Sequence, residues 1–139
     1  MRAASVLVDL ARQRDVGMIA IKSVAKRPWQ GPMHMHRTWY EPFDRQADIE
    51  KCLWYTLSQG VTTAAMPGDL SLWPLVIDAA ERYRPLDEAE QEEVVSEARR
   101  YQPIFPQAYL ECPLSCGRDV GPGRCPALRE AYRRQRGVV

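Results

Sequence analysis

The chain has 139 residues, 45% hydrophobic and 27% charged, with a net charge of +1. These totals fit about one globular domain and give no overall electrostatic drive toward nucleic acid or an anionic membrane. No apolar run approaches the roughly 20 residues that cross a bilayer. No secretory signal is read at the start, so the four cysteines are expected to be reduced thiols of a cytoplasmic protein.

Ala3, Val6, Leu7, Leu10 and Ala11 recur at helical spacing and predict an amphipathic helix over Ala3–Arg14. Arg12 and Arg14 suit the negative end of its dipole. Two runs, Met18–Lys22 and Val61–Met66, are apolar without clean alternation and end in polar or turn residues. They predict strands buried on both faces, the kind found in parallel sheets.

Residues 23–45 form a long connection between them. Pro28, Gly31, Pro32 and Pro42 oppose regular structure there, while Trp29, Trp39, Tyr40 and Phe43 oppose disorder. The segment reads as an ordered loop over one end of the sheet, either shaping a pocket or keeping the sheet end dry. A helix over Gln46–Gln59 then buries Ile49, Cys52, Leu53, Thr56 and Leu57 and stops at Gly60.

After the second strand, Pro67-Gly68-Asp69 turns the chain. Asp69 caps a third helix that has Pro74 in its first turn. Its stripe is Leu72, Val76, Ala79, Ala80 and Tyr83, and Pro85 ends it. Asp87 and Glu90 have capping-box spacing and open a charged fourth helix to about Tyr101, expected on the outside. From Gln102 onward prolines and glycines punctuate a tail whose basic stretch, Arg129–Arg136, reads as a solvated face.

Helix, strand, helix, strand, helix is the repeating order of an α/β barrel or a doubly wound sheet. A complete (β/α)8 barrel takes about 250 residues. The expected fold class is therefore α/β, as a partial TIM barrel of two parallel strands and about four helices over 1–101, with an irregular tail over 102–139.

Several segments, in this order and spacing, carry a resemblance. They are Gly17-Met18-Ile19-Ala20-Ile21-Lys22-Ser23, Thr38-Trp39-Tyr40-Glu41-Pro42, Leu53-Trp54-Tyr55-Thr56-Leu57-Ser58-Gln59, Thr62-Thr63-Ala64-Ala65-Met66-Pro67-Gly68 and Asp78-Ala79-Ala80-Glu81-Arg82. Over roughly residues 3–101 the chain resembles the C-terminal part of the aldo/keto reductases, the last two βα units of that barrel. The resemblance implies an oxidoreductase that moves a hydride from NADPH or NADH to a small carbonyl substrate. The family's catalytic Asp, Tyr, Lys and His lie on earlier strands, so it assigns no catalytic residue here, and Lys22 is not the family's catalytic lysine.

The resemblance does carry over part of a cofactor site. Ile21 matches a position beside the nicotinamide, Lys22 and Ser23 the turn near the pyrophosphate, and Pro67, Gly68, Asp69 and Ser71 the turn facing the adenosine side. Asp69 places a negative charge there, and no arginine follows in the next helical turn. The isolated chain is expected to lack reductase activity. The alternative is a non-catalytic module that associates, with itself or another chain, through open sheet edges.

Metal readings are weaker. His34 and His36 form a His-x-His pair that an extended backbone would aim in one direction, yet no further ligand lies close in sequence. Cys112, Cys116 and Cys125 lack tight Cys-x2-Cys spacing and a fourth ligand, and Cys52 reads as core. No metal is expected.

Overall fold

The computed structural model describes residues 2–105, with side chains from Val6 onward. Residues up to Ile104 belong to one compact unit. The described part is mixed α/β. In chain order it comprises α1 (Arg2–Gln13), β1 (Ile19–Ala20), β2 (Ala25–Arg27), β3 (Glu41–Pro42), α2 (Gln46–Ser58), β4 (Thr63–Ala64), a 3-10 turn (Leu70–Leu72), α3 (Trp73–Glu81) and α4 (Glu88–Ala98).

β1 and β4 lie side by side and parallel, with Ile19 opposite Thr63 and Ala20 opposite Ala64. The Met18 carbonyl accepts from the Thr62 amide at 2.9 Å, and the Ala20 carbonyl accepts from the Ala65 amide at 2.8 Å. The Thr62 hydroxyl caps the lower end by accepting from the Met18 amide at 2.8 Å. These strands are shorter than the apolar runs predicted. At Lys22 the backbone turns left-handed (φ 65°), which carries the chain out of β1.

Alternation gives the pair two unlike faces. Ala64 packs against a core of Val24, Ile49, Leu53, Val76 and Ala79, mostly from α2 and α3. The opposite face carries Ile19, 68% exposed, and Ile21, 64% exposed. Burial on both faces is thus corrected to burial on one. The core beneath is well formed, and burying a side chain such as Ile49 contributes about 1.5–3 kcal/mol.

The long connection is also corrected. It contains β2 and β3, a short antiparallel pair in which Ala25 faces Pro42 and Arg27 faces Glu41. Glu41 accepts from Arg27 Nε at 2.6 Å and from Lys26 Nζ at 2.8 Å, so one carboxylate joins both lysine and arginine of the opposite strand. The expectation of two strands becomes four, two parallel and two antiparallel.

α2 buries Ile49 and Leu53, and its Trp54 indole donates to the Ala79 carbonyl of α3 at 2.8 Å. Gly60 follows α2 with φ 76°, and its amide donates to the Leu57 carbonyl at 3.1 Å. α3 buries Val76 and Ala79, with Leu72 from the preceding turn, while Ala80 and Tyr83 of the predicted stripe are exposed. α4 opens with a complete Asp87–Glu90 capping box and buries no residue, as an outer helix should. α1 differs from expectation: among the described side chains of its predicted apolar stripe, Val6, Leu7 and Leu10 are exposed and Ala11 is buried. The tail beyond 105, with Cys112, Cys116 and Cys125, lies outside the described residues.

Candidate functional site

A cleft of about 210 Å³ opens at the C-terminal ends of β1 and β4. Brief strands explain its position: both strands end there, one at the left-handed turn at Lys22, the other before Pro67-Gly68. The third wall is the segment Arg37–Tyr40, returned by the long connection. In α/β folds the C-terminal strand ends are where ligands bind, because departing loops leave a crevice.

Lys22 lines the cleft against this wall. Its ammonium lies 4.9 Å from the centroids of both the Trp39 and the Tyr40 rings. Trp39 meets Tyr40 edge to face at 5.4 Å, which fixes the rings under that charge. Tyr40 is buried in the aromatic wall, and burial pushes its phenol above the usual value.

Of the residues assigned to a cofactor by resemblance, Ile21, Lys22 and Gly68 line the cleft. Ser23, Pro67, Asp69 and Ser71 do not line it. Pro67 is buried, and its carbonyl accepts from the Trp73 indole at 2.9 Å. Asp69 is a clasp. One oxygen accepts from the Ser71 hydroxyl at 2.7 Å and the Ser71 amide at 2.9 Å. The other accepts from the Arg37 amide at 2.8 Å and lies 3.2 Å from His36 Nδ1. The Ser71 hydroxyl and the Arg37 amide, in that order, hold this carboxyl well below its ordinary range.

That clasp brings Arg37 to the cleft. No arginine follows Asp69 in the next helical turn, and the one at the cleft lies 32 positions earlier, fastened by its backbone amide. Sequence reasoning missed Arg37 because nothing local marks it. The two histidines diverge: His34 stacks on Trp29 at 4.7 Å, and His36 sits between Asp69 and Asp44. Among the described residues no cluster of three or more His, Cys, Asp or Glu has metal-binding geometry.

No helix of the described residues is long and apolar enough to cross a membrane. No protein-family model, curated protein or solved structure matches this chain.

Proposed function

We propose that this chain is the cofactor-side portion of an aldo/keto reductase-like oxidoreductase, a segment of a (β/α)8 barrel that contributes phosphate-facing turns and no catalytic group. The observation that carries the reading is the cleft itself. Ile21 and Lys22 at the end of β1 and Gly68 beyond β4 come from two parallel strands and line one crevice. The strand faces support it too. Helices cover the Ala64 side, as on the outside of a barrel, while Ile19 and Ile21 stand bare where a barrel interior would be.

In the complete enzyme a hydride passes from NADPH or NADH to a small carbonyl compound, and a tyrosine outside this chain donates the proton. Ile21 offers the nicotinamide van der Waals contact without an aromatic face. The setting is cytoplasmic, with no role for nucleic acid or membrane.

Saturation-transfer NMR of the purified full chain tests this reading. Weak binding of NADPH or NADH, lost in Lys22→Ala, is expected, with no turnover of a simple aldehyde. No transfer from either dinucleotide overturns the cofactor assignment, and aldehyde reduction overturns the absence of a catalytic centre.

A second reading, association without catalysis, is favoured by one observation: Val6, Leu7, Ile19 and Ile21 all stand more than half exposed. Parallel strands are ordinarily covered on both faces. Size-exclusion chromatography with light scattering tests it, and a clean monomer at every concentration counts against it.

A further inference from the structure

We infer that the cleft is a phosphate-class oxyanion site whose second cation is Arg37. The inference takes its location from the cofactor-side reading but identifies a binding residue that reading lacks. Lys22 and Arg37 both line the crevice, and no carboxylate does. Every ion pair among the described residues uses other side chains, so neither cation is neutralised within that part of the fold. Two cationic residues border one small cavity walled by aromatic rings, and the nearby Asp69 carboxylate is occupied by the Ser71 and Arg37 donors, so the cavity favours an anion.

Two further features bear on the same site. Lys22 holds a left-handed backbone at φ 65°, a conformation that costs a non-glycine residue free energy and collects at functional sites. It points the ammonium across Trp39 and Tyr40, whose π faces hold the cation without discharging it. The Arg37 backbone is fixed at the edge of the same cleft, which leaves its exposed side chain free to reach a ligand there. Its amide is fastened to Asp69 at 2.8 Å, while Asp69 turns both oxygens onto the Ser71 and Arg37 donors. Asp69 is thus a positioning residue that spends its hydrogen-bonding capacity on the loop.

The ligand class follows from the donors. A guanidinium fork and an ammonium together match a doubly charged, tetrahedral phosphate better than a singly charged carboxylate. The source of the phosphate is either a dinucleotide cofactor or a free phosphate compound, and the experiment separates them.

The probe is inorganic pyrophosphate, titrated into the full-length chain and followed by calorimetry and amide NMR shifts, with NADPH and benzoate in parallel. Saturable pyrophosphate binding is expected, weakened about tenfold by Arg37→Ala and less by Arg37→Lys, as loss of a charge-assisted hydrogen bond predicts. Arg37 is exposed, and its side chain has no partner among the described residues, so both variants should fold. Unchanged affinity in Arg37→Ala, or no binding at about 10 mM, overturns the inference. Benzoate binding as strongly, with the same Arg37 dependence, overturns the phosphate class. Pyrophosphate binding without NADPH binding supports the inference and defeats the dinucleotide reading. NADPH binding indifferent to Arg37→Ala does the reverse.

Discussion

The indole N–H of Trp54 donates to the Ala79 carbonyl at 2.8 Å, and this bond fastens α2 to α3 beside their shared core. The Arg84 guanidinium lies 5.3 Å from the same indole, covering its other side. Trp54→Phe keeps a ring but removes the donor, leaving a carbonyl without its partner. The expected loss is about 1–3 kcal/mol, measured by urea denaturation monitored by circular dichroism.

Gly60 sets the exit from α2. An alanine there must adopt φ 76°, and its Cβ would fall 1.6 Å from the Arg12 guanidinium. Arg12 is exposed and can swing aside, so the clash is relieved at the cost of its contact with the Gln59 carbonyl. The backbone cost remains. Gly60→Ala should lower stability by about 1–2 kcal/mol in the same denaturation experiment.

Stability should fall in acid through Glu41. The Arg27 side chain, then Lys26, lowers this carboxyl from its usual 4.5 to about 2. A depressed carboxyl contributes its full stabilisation above the unfolded value and loses it as pH falls through the folded one. The loss therefore runs from pH 4.5 down to about 2. Glu90, held by Arg84, is lowered to about 2 and adds in the same window. Urea midpoints across this range should decline, and Glu41→Gln should flatten the decline.

The helical core beneath the parallel pair and the bare strand face on its other side should respond differently to substitution. Ile49 is fully buried, and Ile49→Ala should cost about 2–5 kcal/mol. Ile19→Thr combined with Ile21→Thr should change the stability of the monomer by no more than about 0.5 kcal/mol. The double variant should also reduce self-association measured by light scattering. A large loss of monomer stability would show that the bare face is covered.

Cys52 should resist alkylation while the chain is folded. Burial, then the nearby Asp48 and Glu97 carboxylates, pushes its thiol up to about 12, and only the thiolate reacts. Iodoacetamide labelling at neutral pH, mapped by peptide mass spectrometry, should find Cys52 unmodified in buffer and modified in urea.

The sequence was most legible where signals are local. The Gly60 stop and the Asp87–Glu90 box each rest on a few neighbouring residues and are present, and of the predicted α2 stripe Ile49 and Leu53 are buried while Cys52, Thr56 and Leu57 are half-buried. The parallel pairing of β1 with β4 was legible from the run–helix–run order. Strand length was not, because ladder extent depends on neighbours and on the backbone reversal at Lys22. Nor was β2–β3, since Glu41 finds Lys26 and Arg27 across a proline-rich gap. The cleft was half legible. Ile21, Lys22 and Gly68 carry motif signals, whereas Arg37 arrives only because Asp69 clasps a distant amide.

The reversed hand of the backbone at Lys22 restricts how this position can drift over evolutionary time. Valine, isoleucine and threonine are poorly tolerated there because a branched Cβ collides with its own peptide groups. Glycine and asparagine would keep the turn while discharging the cleft. A lineage that retains an unbranched cation at this site is therefore selecting for its charge, since the turn itself is more easily made by other residues.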